Sequence, residues 1–120
     1  CFNSVMGIKI PVWGKALNLY RPYLSLNDAF KVIKFIINKN FFPSDTYNVL
    51  SENKTVNDIL TIIRKYKFKT KIKFTSSRIL NQDSYKISKE KLENLGLKLN
   101  SKIKKDIKIT LMKLSKQNFR

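Results

Sequence analysis

The apolar positions of this chain fall into short runs whose period changes along the sequence. Ile8, Ile10 and Val12 alternate with other residues between Gly7 and Gly14, which predicts a short strand that Pro11 confines to a sheet edge. Residues 15–19 read as a turn into a second strand, where Tyr20, Tyr23, Leu24 and Leu26 suit half-buried positions. Asn27 and Asp28 then offer side-chain oxygens to the first N–H groups of a helix over 28–38. Ala29, Phe30, Val32, Ile33, Ile36 and Ile37 cover more than one face of that helix, so it is expected to lie between a sheet and another layer. Residues 38–40 end it, 43–46 make a loop, and Tyr47-Asn-Val-Leu50 begins a buried strand followed by a loop over 51–54.

Beyond this point the period is clearer. Thr55-Val-Asn-Asp58 has the form of a capping box with aspartate in place of the usual glutamate, and Val56, Ile59, Leu60, Ile63 and Tyr66 follow at helical spacing. Residues 67–75 alternate lysine with Phe68, Ile72 and Phe74, the period of a strand whose aromatic side faces a core and whose lysines face water. Residues 76–85 are polar and read as loop. Ser88 caps a short helix with Glu90 in its first turn and Gly96 at its end. Ser101 caps a last helix with Ile103, Ile107, Leu111 and Leu114 along one side. The resulting order, strand, strand, helix, strand, helix, strand, helix, helix, is that of an α/β fold.

Composition narrows the chemistry. With 120 residues and 42% hydrophobic content the chain is one domain with a core. It has no run of about 18 apolar residues, so no membrane is expected as a partner. One cysteine, Cys1, and no histidine exclude an internal disulfide and a metal cluster, and fit a reducing, cytoplasmic compartment. The chain opens with Cys1 and an apolar stretch that reads like the tail of another element, so a fragment is expected.

A net charge of +17 points toward nucleic acid. Arginine, however, occurs only at Arg21, Arg64, Arg78 and Arg120, and the lysines are scattered over every element. Dedicated phosphate readers use the arginine fork, so this distribution does not favour a nucleic-acid partner. The best basic and aromatic candidate is the 67–73 strand.

Glycine stands only at Gly7, Gly14 and Gly96, which leaves no dinucleotide-binding turn and no P-loop. Asp28, Asp58 and Glu90 all have roles open to them at helix starts, and no catalytic centre is expected. Tyr85-Lys-Ile-Ser-Lys89 has a Tyr-x-x-x-Lys spacing, but Ser88 as a cap puts Tyr85 ahead of the helix, so the two do not share a helical face. Arg21 is the distinctive residue. It leaves a largely buried strand, where a guanidinium calls for a carboxylate or a phosphate.

Taken together, these pieces resemble the C-terminal part of an extended short-chain dehydrogenase/reductase, of the NAD-dependent epimerase/dehydratase family that acts on nucleotide sugars. Ile8-Lys-Ile-Pro-Val-Trp-Gly14, Arg21-Pro-Tyr-Leu-Ser-Leu-Asn-Asp28, Tyr47-Asn-Val-Leu50 and Ser88-Lys89 with Leu95-Gly96 resemble the family's motifs in their order. The resemblance implies the last part of a Rossmann-type sheet plus a small C-terminal substrate-binding subdomain over residues 1–120, with the N-terminal NAD-binding part outside the chain. It implies a nucleotide-sugar substrate, NAD(P) bound by the full-length enzyme and none by this segment, and it is compatible with a homodimer of the full-length enzyme. Residue by residue, it makes Arg21 a diphosphate contact and places Val12 and Trp13 beside the nucleobase. Where the family often has a second arginine, this chain has a stretch containing Asn81 and Gln82, for which Arg78 is a substitute. The alternative reading is a small basic nucleic-acid-binding α/β domain.

Overall fold

A computed structural model describes residues 1–76 and 84–117. Its elements are α1 (Phe2–Val5), β1 (Ile10–Trp13), a single 3-10 turn (Gly14–Ala16), β2 (Tyr20–Tyr23), α2 (Leu26–Lys39), β3 (Glu52–Thr55), α3 (Val56–Tyr66), β4 (Ile72–Thr75), α4 (Glu90–Glu93) and α5 (Ile103–Ser115). The α/β order read from the sequence is present, with α1 and the 3-10 turn added. Two small sheets carry it. β1 pairs parallel with β4, Ile10 opposite Ile72 and Val12 opposite Phe74, while β2 pairs antiparallel with β3, Arg21 opposite Lys54 and Tyr23 opposite Glu52.

The core has two parts. Ile63 of α3 and Ile103, Ile107 and Leu111 of α5 form one, closed by Val5, Tyr23, Ile59 and Tyr66. Val32 of α2, Leu92 and Leu99 form the other, with Ile36, Tyr47, Val49 and Leu97 around them. Both helical stripes expected on α3 and α5 are therefore the ones buried.

Between the two cores sits a carboxylate. Asp28 is 0% exposed, and it accepts hydrogen bonds from Ser51 Oγ at 2.7 Å, Ser101 N at 3.0 Å, Ser101 Oγ at 2.7 Å and Lys31 Nζ at 3.0 Å. Ser51 Oγ in turn accepts from Ser25 N at 2.9 Å. Burial pushes the Asp28 carboxyl up, but the hydrogen bonds from Ser51, Ser101 and Lys31 outweigh it and hold the group down at about 2.

Several sequence expectations are corrected. α2 begins at Leu26 with Ser25 in the N-cap position, so Leu24 and Leu26 do not belong to the strand, and Asp28 reaches across to Ser51 and Ser101 rather than capping its own helix. Residues 46–50 form no strand; the strand is Glu52–Thr55, in the stretch expected to be loop. Its residues have little β propensity, and pairing with β2 decides the matter. Ser101 is committed to Asp28 and does not cap α5. Glu52 does, accepting from Ile103 N at 2.9 Å. The 67–75 strand shrinks to β4, since a turn closed by Thr70 N on Lys67 O comes first, and the aromatic side is not buried: Phe68 is 93% and Phe74 61% exposed. The capping box at Thr55 is present in full, Asp58 N to Thr55 Oγ1 at 3.0 Å and Thr55 N to Asp58 Oδ2 at 2.9 Å. Asn40, at φ 46°, closes α2 in the left-handed conformation, and Gly96, at φ 83°, follows α4.

Asp28 also fixes the acid response. Its folded pKa lies below the ordinary value of 3.8, so its ionised form stabilises the fold, fully above about pH 4 to 5, and this contribution is lost as pH falls toward 2. The size is on the order of 2 kcal/mol. Asp28→Ala, which strands the buried Ser51 and Ser101 donors, is expected to cost about 3 kcal/mol at pH 7. Urea melts at pH 7 and pH 3 check this: Asp28→Asn should lose less stability between the two than the unmodified chain does.

Candidate functional site

Arg21 stands in the middle of β2, on the same side of the ribbon as Tyr23, with Lys54 of β3 directly opposite. Like charges facing each other across a ladder destabilise it. Glu52, 3.8 Å from Lys54 Nζ, offsets part of this repulsion. Such a local conflict is characteristic of positions selected for something other than stability.

The chain returns to this strand after β4. Tyr20 N donates to Ser84 Oγ at 3.0 Å, and Tyr85 N to Tyr20 O at 3.5 Å. This lays two aromatic and cationic pairs side by side: the Arg21 guanidinium lies 5.2 Å from the centre of the Tyr85 ring, and Lys86 Nζ lies 3.9 Å from that of Tyr20. Arg21 Nη1 also donates to Tyr20 O at 2.7 Å. Asn53 holds the returning segment in place, its amide giving to Ile87 O at 3.0 Å and accepting from Ile87 N at 3.2 Å. Successive residues of an extended segment point to opposite faces, so Arg21 with Tyr85, and Lys54 across the ladder, share one face of the ribbon, while Tyr20 with Lys86 lies on the other. An anion with several oxygens would meet a fork and one point charge on the Arg21 face.

Next to it opens a cleft of about 470 Å³ lined by Val12, Trp13, Tyr23, Val56, Ile59 and Leu60, among others. Val12 is buried in its wall and Trp13 half-buried. Tyr23 connects the cleft to the cationic group: burial raises its hydroxyl pKa, Arg21 lowers it and Asp58 raises it. Of the site residues expected from sequence, Val12 and Trp13 line the cleft, while Arg21 does not and approaches it only through Tyr23, two residues along the same strand. Arg78, Asn81 and Gln82 lie outside the described residues.

Sequence reasoning missed Tyr23, Lys54 and Tyr85. Tyr23 could have been found from its i+2 position on the Arg21 side of a strand. Lys54 was hidden because its strand read as loop. Tyr85 precedes α4 as expected, and its partner is Arg21, while Lys89 turns away to Leu99 O and to Glu93 at 3.2 Å. Those two residues form no catalytic pair here. β1 runs into a three-residue 3-10 turn rather than a helix. No group of three or more His, Cys, Asp or Glu side chains suited to a metal ion exists among the described residues, and no described helix is long and apolar enough to cross a membrane.

No family model and no curated protein matches the chain. Solved structures do. The UDP-glucose 4-epimerase of Thermus thermophilus, in complex with NAD, superposes over 95% of the chain with a TM-score of 0.79 at 16% identity. RMD of Pseudomonas aeruginosa, complexed with NADPH, superposes over 95% with a TM-score of 0.71 at 15% identity. The chain spans 38% of the length of each. The fold is therefore one found within these larger α/β proteins.

Because Asn53 joins Ile87 to β3 through a reciprocal amide pair, Asn53→Ala should loosen the segment that presents Tyr85 and Lys86. The expected result is an Ile87 amide that exchanges at least about tenfold faster and quicker tryptic cleavage after Lys86, at a stability cost of about 1 kcal/mol.

Proposed function

We propose that the chain is the nucleotide-diphosphate-sugar-binding part of an NAD(P)-dependent sugar epimerase or dehydratase of the extended short-chain dehydrogenase family. The observation that carries this reading is the superposition of nearly the whole chain on UDP-glucose 4-epimerase, with Arg21 held in a cationic group beside an aromatic-walled cleft.

In this reading the Arg21 fork takes the diphosphate, assisted by Lys54 across the ladder. Trp13 and Val12 flank the nucleobase, the indole offering a flat stacking surface. Arg78, Asn81 and Gln82 supply further donors. Binding energy collected on this remote part of the substrate orients the sugar for chemistry elsewhere. NAD(P) and the catalytic residues belong to a portion outside the chain, so the segment alone is inactive. A cytoplasmic setting and a homodimeric full-length enzyme go with the same reading.

A second reading has one observation in its favour. Phe68 and Phe74 are exposed among Lys67, Lys69, Lys71 and Lys73, the combination that single-stranded nucleic acids use for stacking and phosphate contact.

Calorimetric titration with UDP-glucose separates the two. Arg21→Ala should weaken binding about 10- to 100-fold, the value of a charged hydrogen-bonded contact, and Arg21→Lys should restore only part of it. If instead an oligothymidylate binds with an affinity that falls steeply with salt, is lost in Phe68→Ala/Phe74→Ala and is indifferent to Arg21→Ala, the second reading takes its place.

A further inference from the structure

The lysines of α5 are arranged around two apolar side chains. Ile103, Ile107 and Leu111 are buried on one side of the helix. On the other, at the four-residue spacing that stacks side chains along a helix, Lys105 and Lys113 bracket Ile109, and Lys108 and Lys116 bracket Met112. All six are exposed, Ile109 at 38% and Met112 at 53%. None of the four lysines pairs with an acid among the described residues.

The surface continues past the helix. A groove of about 380 Å³ lies between the last turns of α5 and the end of α3, walled by Tyr66, Leu111 and Met112 and rimmed by Lys67, Lys108 and Lys116. Phe68, 93% exposed, and Lys69 follow Lys67 in the turn after α3. The stretches 59–82 and 107–120 contain no acidic residue, so little negative charge opposes these lysines.

An amphipathic helix that ringes exposed apolar tips with several lysines has the composition of a surface that rests on an anionic bilayer: the tips enter the headgroup layer and the ammonium groups meet the lipid charges. Contact of this kind needs no spanning helix. Single-stranded nucleic acid fits α5 less well, because bases stack on aromatic planes and the two tips that the α5 lysines bracket are aliphatic.

We propose that the outer face of α5, with the adjoining turn after α3, docks on anionic phospholipid bilayers, Ile109 and Met112 entering the headgroup layer and Lys105, Lys108, Lys113 and Lys116 meeting its charge. The proposal is independent of the nucleotide-sugar reading, whose Val12, Trp13, Arg21 and Lys54 lie on β1, β2 and β3.

The test is co-sedimentation of the full chain with vesicles of phosphatidylcholine, alone or mixed with phosphatidylserine. Binding is expected to the mixed vesicles only, and added salt should reverse it, a test that needs no variant. Each lysine at such a surface contributes about fivefold in affinity, so Lys108→Gln/Lys116→Gln should weaken binding about 25-fold. Lys34→Gln/Lys98→Gln, which removes the same charge from exposed positions elsewhere, should weaken it less than about threefold, because distant charges are screened. Ile109→Gln/Met112→Gln should weaken it at least about fivefold and leave the melting temperature within about 2 °C. No binding to mixed vesicles, equal binding to neutral ones, indifference to salt, equal losses in the two lysine pairs, or full affinity in Ile109→Gln/Met112→Gln would each overturn the proposal. An oligothymidylate bound in preference to the vesicles, with dependence on Phe68 and none on Met112, would give the surface to nucleic acid instead.

Discussion

One buried carboxylate holds the separate parts of this fold in register. Asp28 sits in the first turn of α2, yet its four donors come from Lys31 and from two distant stretches, Ser51 before β3 and Ser101 before α5. A carboxylate fully removed from water is tolerable only when its lone pairs are filled. Here the chain fills them with hydroxyl and amide donors, and one partly exposed ammonium supplies the countercharge. Ser51 and Ser101 each lie just before an element whose entry they help to fix. Ser51 also accepts from Ser25 N, so the entry of α2 and the entry of β3 are tied together through one hydroxyl.

That constraint reaches the candidate site through β3. With Ser51 anchored, β3 lies beside β2 and brings Lys54 opposite Arg21, and Glu52 is left to cap α5 while facing Lys54 and, at 3.6 Å, Lys102. Asn53, between them, holds the segment that carries Tyr85 and Lys86. Three consecutive residues of one short strand, Glu52, Asn53 and Lys54, therefore connect a cap, a fastening pair and a cationic centre. The cost of crowding Arg21 and Lys54 is borne by a ribbon secured at both ends: Ser51 N donates to Tyr23 O at one, and the capping box of Thr55 stands at the other.

The same geometry explains how much could be read from the sequence. α3 was legible in full because its signals are local: a capping box, then apolar residues at one helical period. The α5 stripe was legible for the same reason. The cap of α5 was not, because Ser101 looks like a capping residue and only the fold reveals that Asp28, 73 positions away, claims it. β3 was illegible because Glu-Asn-Lys-Thr has no strand character of its own and becomes a strand by pairing. Alternation at 67–75 misled in the opposite sense: the period was right for a strand, but a turn closed by Thr70 N on Lys67 O follows α3 and takes Phe68 out of it. In the site, Arg21 stood out by its own chemistry and Val12 and Trp13 came only through the family resemblance, whereas Lys54 and Tyr85 matter only through neighbours distant in sequence.

The large positive charge then divides into two classes with different meanings. Some lysines are stitches between segments: Lys31 to Asp28 and Asn100, Lys91 to Asp45 and Thr46 O, Lys102 to Glu52, and Lys86 over Tyr20. Exposed pairs of this kind contribute little individually, yet each explains a lysine without a ligand. Lys69, Lys71 and Lys73 differ, joining no acid among the described residues and flanking exposed phenylalanines. A nucleic-acid role would thus be confined to β4 and the turn before it, on a different sheet from Arg21. Total charge cannot decide between the readings, because most of it belongs to neither surface; the decision rests on whether a ligand depends on the Arg21 strand or on the Phe68 turn.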